Sequence, residues 1–250
     1  VALTPLALGI LIGVAFIAGL IDAVAGGGGL LTVPAILAAG LPPHFALGTN
    51  KGQSVFGSAA ALVTYLRRDA VDRKLARFTF PLGALGSVCG ALLVLAISPS
   101  GLRPIVIVLL PCAALTLLWP RRESTGPAPR NRLLIASALA LGIGAYDGFF
   151  GPGTGTFLVI GFALFLHAPL LQATADAKVV NFASNLAAVG MFASQGKILW
   201  SVALPMALAQ IAGGALGAHL AVRGGARLIR IVVLCIVAAL VIKLGLDLTV

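Results

Sequence analysis

The sequence predicts an all-α polytopic membrane protein made of two homologous halves, and three observations carry that prediction. Apolar residues fill 60% of the 250 positions and charged residues only 10%, with a mean hydropathy of +1.09. Soluble domains are about one quarter charged. Apolar stretches recur at lengths near the roughly twenty residues that a helix needs to cross a bilayer core of about 30 Å. A set of motifs in the first half also returns, in the same order, in the second.

The apolar stretches are 1–21, 78–97, 104–119, 133–146, 198–222 and 231–242. None alternates with period two, so the pattern is that of helices and not of a membrane barrel. The first lacks a basic leader and reads as a spanning helix, not as a cleavable signal peptide. The formal net charge is +10. It sits in short loops, as expected where helices meet the cytoplasm, so nucleic acid is not an expected partner. Cys89, Cys112 and Cys235 lie inside apolar stretches at spacings that match no metal or redox motif. No cofactor is expected.

The repeat is read from spacing. Gly19-Leu20-Ile21-Asp22, followed by Gly26 and Gly28, stands 125 residues before Gly144-Ala145-Tyr146-Asp147, followed by Gly151 and Gly153. Lys51 precedes Lys178 by 127 residues, and Pro81 precedes Pro205 by 124. The halves are residues 1–119 and 133–250, joined by a cytoplasmic linker at 120–132 that holds three prolines and four arginines. In each half an apolar helix reaches an Asp and a glycine tip, and a short apolar piece follows (30–41 and 157–166). After a proline turn comes a lysine-bearing helix (44–66 and 170–193), then two plainer spans. Each half is thus a Gly-tipped broken or re-entrant helix pair plus three spanning helices.

Loop charge suggests how the halves are oriented. Arg67–Arg77 carries five cations, the linker four and Arg223–Arg230 three. With all three loops cytoplasmic, twelve cations lie inside and three (Arg103, Lys197 and Lys243) outside. That arrangement needs inverted repeats, with the glycine-tipped pair either crossing twice or dipping in and out as a hairpin. A parallel arrangement weakens the bias.

Inverted repeats with broken helices place a substrate site near the midplane, where helix ends face the ligand. Gly26–Gly29 and Gly151-Pro152-Gly153-Thr154-Gly155 cannot be helix interior. At membrane depth such backbone must be buried in protein or line a cavity. Gly27, Gly28, Gly153 and Thr154 could offer backbone N–H groups to an anion at the helix start. The alternative is a tight turn at the membrane surface. Neither tip is a Walker loop or a dinucleotide fingerprint.

The lysine helices are more specific. Lys51, Ser54 and Ser58 align with Lys178, Asn181 and Asn185, each set at i, i+3, i+7 on one helical face. Asn50, Thr49 and Gln53 add polar groups in the first half, and Asp176 in the second. A buried ammonium must be paired or meet an anionic ligand. The readings are an anion site, a structural Lys–Asp pair, or lysines snorkelling to the interface. Asp22 and Asp147 stand just before the tips and could carry coupling protons, pair with the lysines, or cap the free N–H groups of the tip. His44, His167 and His219 form no cluster. The GxxxG spacings Gly86–Gly90 and Gly213–Gly217 suit close helix packing, as an internal seam or as a homodimer face.

The run Gly48-Thr49-Asn50-Lys51-Gly52-Gln53-Ser54, with Asp22 and the glycine tip before it, resembles the sulfite exporter TauE/SafE family. Residues 173–182, Ala-Thr-Ala-Asp-Ala-Lys-Val-Val-Asn-Phe, look like its duplicated partner. The resemblance spans essentially the whole chain. It implies movement of sulfite, or of small sulfonates such as sulfoacetate, across the bacterial inner membrane. The residues themselves point to a secondary transporter that exports a small anion by alternating access, with protons as a candidate coupling ion. An anion channel of the same architecture is the alternative. An intramembrane aspartyl protease fits poorly, because Asp22 sits in Gly-Leu-Ile-Asp and not in Gly-x-Gly-Asp.

Overall fold

The fold was obtained as a computed structural model that describes the backbone of residues 3–115 and 126–247, and side chains up to residue 224 except 114. Residues 120–125 of the linker, and the side chains of Arg227, Arg230, Cys235 and Lys243, lie outside the described residues. Among the described residues all regular structure is helical: α1 (Pro5–Ala25), α2 (Gly29–Ala38), α3 (Pro43–Arg67), α4 (Arg73–Ala96), α5 (Pro99–Leu115), α6 (Arg132–Phe149), α7 (Thr154–Phe165), α8 (Leu170–Ser194) and α9 (Trp200–Asp247).

Local chemistry sets the boundaries. Thr4 caps α1 by accepting from the Ala7 N–H at 3.2 Å, with Pro5 in the first turn. Asp72 caps α4, accepting from Lys74 N at 2.9 Å and Leu75 N at 3.2 Å. Side-chain oxygens here satisfy N–H groups that a helix start leaves open. Pro43 opens α3, where the lack of an N–H costs nothing. Gly26 ends α1 with φ +73°. The sequence expected a loop at Arg223–Arg230, but the backbone of α9 stays helical there. Arginine favours helix and no proline intervenes.

Among the described residues four helices, α1, α4, α6 and the stretch Trp200–Gly224 of α9, are long and apolar enough to cross a membrane. Outward leucines such as Leu6 (76% exposed), Leu134 (70%) and Leu208 (72%) suit lipid, not water. The two 25-residue helices α3 and α8 are as long but more polar, and their polar residues are buried inside the protein.

In each glycine-tipped pair the short helix folds back along the longer one before it. Gly28 returns to the Ala18 carbonyl, and Ile36 of α2 packs with Leu11 and Ala15 of α1. In the second half, Leu158 and Phe162 of α7 pack with Ala136 and Ala140 of α6.

Glycine seams fix the helix directions. Gly213 and Gly217 of α9 lie against the carbonyls of Phe16 and Leu20, too close for any Cβ, so α1 and α9 run parallel. Gly48 meets Lys197 and Gly57 meets Gln210, so α3 runs with them. In the same way Gly86 and Gly90 of α4 press on the carbonyls of Leu141 and Ala145 of α6. Ser87 Oγ donates to the Ser184 carbonyl at 2.6 Å, which sets α4 beside α8. The start of α3 faces the end of α4, where His44 Nε2 lies 3.1 Å from the Val94 carbonyl. Both GxxxG motifs are therefore internal seams.

Helices α1, α2, α3 and α9 consequently form one body, and α4, α6, α7 and α8 a second. Each body takes three helices from one half of the sequence and one from the other. The bodies meet chiefly along α3 and α8. The chain passes between them at Arg68–Asp72 and again at 195–199.

Candidate functional site

The two tips interlock where the bodies meet. Gly26 lies directly against the Gly155–Thr156 backbone, so a Cβ there would overlap it, and Gly29 faces Pro152. This close approach is why glycine, free to adopt φ +73°, stands at position 26. Thr156 Oγ1 donates to the Ala25 carbonyl at 3.3 Å across the junction. Tyr146 Oη holds the second tip by donating to the Pro152 carbonyl at 2.6 Å, and Tyr65 Oη holds the end of α1 by donating to the Ala23 carbonyl at 2.8 Å.

Two ion pairs cross from one body to the other. Lys51 Nζ lies 2.7 Å from Asp147 Oδ1, and both side chains are 2% exposed. Lys178 Nζ lies 2.7 Å from Asp22 Oδ2, with exposures of 0% and 19%. Each lysine thus pairs with the aspartate of the opposite half. Ser184 Oγ donates to Asp147 Oδ2 at 2.5 Å, and the Gly28 N–H donates to Asp22 Oδ1 at 3.2 Å. Of the three readings for the aspartates, Asp22 satisfies two, pairing with a lysine and capping its tip. Neither lysine snorkels.

Between the tips lies a polar cavity of about 20 Å³, room for about one water. Asp22, Gly27, Gly28, Asn50, Lys51, Ser54, Asp147, Gly153, Thr154, Asn181 and Asn185 line it, as do Gly29, Gly151, Gly155 and Gln210. Asn50 is fixed by its Oδ1, which accepts from Thr32 Oγ1 at 2.5 Å and Gln53 Nε2 at 3.0 Å.

Four predicted site residues stand back from the cavity wall. Lys178 reaches the site only through Asp22. Gln53 is a support for Asn50. Ser58 Oγ donates to the Val55 carbonyl of its own helix at 3.0 Å. Asp176 faces the α3–α4 turn, where its Oδ1 accepts from the Asp72 N–H at 2.7 Å, and Asp72 in turn pairs with Arg132 at 3.0 Å. Two residues before Lys178, it points to a different side of α8. Gln210 and Ser184 are contributors that the repeat conceals. Their counterparts by the same offsets are Gly86 and Gly57, so only a lone polar residue on an apolar stretch could have pointed to Gln210.

The family model described as Sulfite exporter TauE/SafE matches residues 11–244. The chain is 40% identical over 237 residues to the probable membrane transporter protein ORF9 of Sinorhizobium sp, covering 93% of this chain and 90% of that protein. It is 37% identical over 246 residues to the probable membrane transporter protein YfcA of Escherichia coli (strain K12), covering 98% and 91%. A probable membrane transporter protein of Haemophilus influenzae is 40% identical over 225 residues, covering 89% and 88%. No solved structure matches.

Proposed function

The chain belongs to the sulfite exporter TauE/SafE family, and from that premise we propose that it is a secondary carrier moving small sulfur oxyanions, sulfite or sulfonates such as sulfoacetate, out of the bacterial cytoplasm. Membership makes it a multi-pass transporter of the inner membrane, and not an enzyme. The substrate class and the mechanism are our reading.

The observation that carries it is the pair of crossed ion pairs at the junction of the glycine tips. An ammonium, backbone N–H groups at a helix start and side-chain amides suit the oxygens of a small anion. The cavity is smaller than an anion with several oxygens around a central atom. Binding and release therefore require the bodies to part, and alternating access is a rocking of one body against the other, with each ion pair breaking in turn. We further infer that the halves are inverted repeats. The support is that α1, α3 and α9 run one way while α4, α6 and α8 run the other, so the matched helices α1 and α6, and α3 and α8, are opposed. An inside-negative potential favours anion export by roughly 2.3 kcal/mol per charge per 100 mV.

The test is flux in proteoliposomes for sulfite, sulfoacetate, sulfate and chloride, comparing wild type with Lys51→Ala and Lys178→Ala. Saturable movement of a sulfur oxyanion, lost in both folded variants, is expected. Movement that survives both substitutions overturns the paired-lysine site. Non-saturating flux without countertransport selects the channel reading.

A further inference from the structure

Gln210 is an amide in an otherwise apolar part of α9, and it faces the cavity while only 3% exposed. Among the described residues its side chain makes no hydrogen bond. Its amide is not among the fully enclosed polar atoms left without a partner, so its open side is the cavity, where a ligand can satisfy it. Its side chain packs flat on Gly57 of α3, where a Cβ would overlap Oε1, and its backbone meets Gly19 of α1. Three helices are thus brought to glycine-close approach around this one residue. Across the cavity on α8, Asn181 is 6% exposed, and its side chain also makes no hydrogen bond among the described residues. The two ammonium groups, by contrast, are already engaged by carboxylates.

We propose that Gln210 is a substrate-binding residue of the carrier, donating its amide N–H to an oxygen of the transported oxyanion opposite Asn181. The inference rests on the carrier reading above and adds a contact that the repeat does not encode. Gly86, the counterpart position, is spent on the seam with α6. The cavity is therefore polar on both bodies but not symmetric. A neutral amide N–H suits the oxygens of a sulfonate or sulfite without adding another buried charge. Because Gln210 and Asn181 stand on different bodies, a ligand that touches both bridges them, and it loses one of the two contacts as the bodies separate to release it.

The experiment measures KM and Vmax for sulfite and sulfoacetate uptake into proteoliposomes, with thermal unfolding of the same samples in detergent. Wild type, Gln210→Met and Gln210→Asn are compared. Losing one hydrogen bond to substrate should raise KM about tenfold in Gln210→Met. Vmax and the melting temperature should change little, and Gln210→Asn should recover part of the loss. Added sulfoacetate should stabilise wild type against heat more than Gln210→Met, a readout independent of flux. A KM within about twofold of wild type in folded Gln210→Met overturns the assignment, as does a fall in melting temperature with KM unchanged. If wild type moves neither anion, the carrier reading itself fails and this inference goes with it.

Discussion

Replacing Lys51 by methionine removes one charge from a pair in which both side chains are 2% exposed. At 2.7 Å and an effective dielectric constant of about 20, the lost attraction is roughly 6 kcal/mol. Desolvation offsets part of it, and removing one partner of a buried pair typically costs about 3–5 kcal/mol. Asp147 keeps its bond from Ser184, which favours the lower end. A typical stability of about 5–15 kcal/mol leaves a weakened but folded protein. The double variant Lys51→Met/Asp147→Asn removes both charges and leaves an amide that can still accept from Ser184, so most of the lost stability should return. The coupling in a double-mutant cycle should be about 2 kcal/mol or more. The second pair is wetter, with Asp22 at 19% exposure, so the same cycle on Lys178 and Asp22 should give a smaller coupling. Unfolding in detergent measures the stabilities and flux measures function. Transport should stay lost in the double variant even as stability recovers. A coupling below about 0.5 kcal/mol, or transport restored without Lys51, would refute the argument that this pair is both buried and part of the working site.

Two other changes probe the frame of the site. Gly26→Ala should abolish folded protein, because the new Cβ meets the Gly155–Thr156 backbone at a residue with φ +73°. Gly9→Ala, in the same helix with nothing within 4 Å, should be nearly silent in yield and melting temperature. Leu208, 72% exposed on the apolar surface of α9, should tolerate Ala, whereas Leu208→Arg should reduce membrane-inserted protein by an amount set by about 3 kcal/mol. Equal yields of the two Leu208 variants would mean that this face does not meet lipid.

What could be read from the sequence was whatever the duplication wrote twice. The Asp–glycine tips and the lysine faces repeat at nearly constant spacing, so their place in the fold and most of the cavity wall followed from pattern alone. Partnership did not. That Lys51 meets Asp147, and Lys178 meets Asp22, depends on helices brought together over about a hundred residues or more. Helical spacing put Ser58 on the site face, yet its hydroxyl bonds within its own helix. Asp176 looked like a neighbour of Lys178 because it is two residues away, an interval that turns a side chain well round the helix. Gln210 went unseen because its repeat counterpart is a glycine. The choice between hairpin and double crossing could not be made from hydropathy, since α2 and α7 are apolar in either case. The packing of Ile36 against Leu11 and of Phe162 against Ala140 is common to both.

The exchange of α4 and α9 between the halves has a consequence for assembly. Neither half closes on itself. Residues of the first half leave α1 with a bare row of carbonyls at Phe16 and Leu20, and α4 with exposed glycines at 86 and 90. Residues of the second half leave the mirror vacancies on α6 and α9. In a chain emerging from the ribosome the second body can close once α8 has been made, whereas the first lacks its last helix until α9 follows. Helices α1 and α3 must wait in lipid with their closest-packing surfaces unmatched, and the first body closes last, at the end of synthesis.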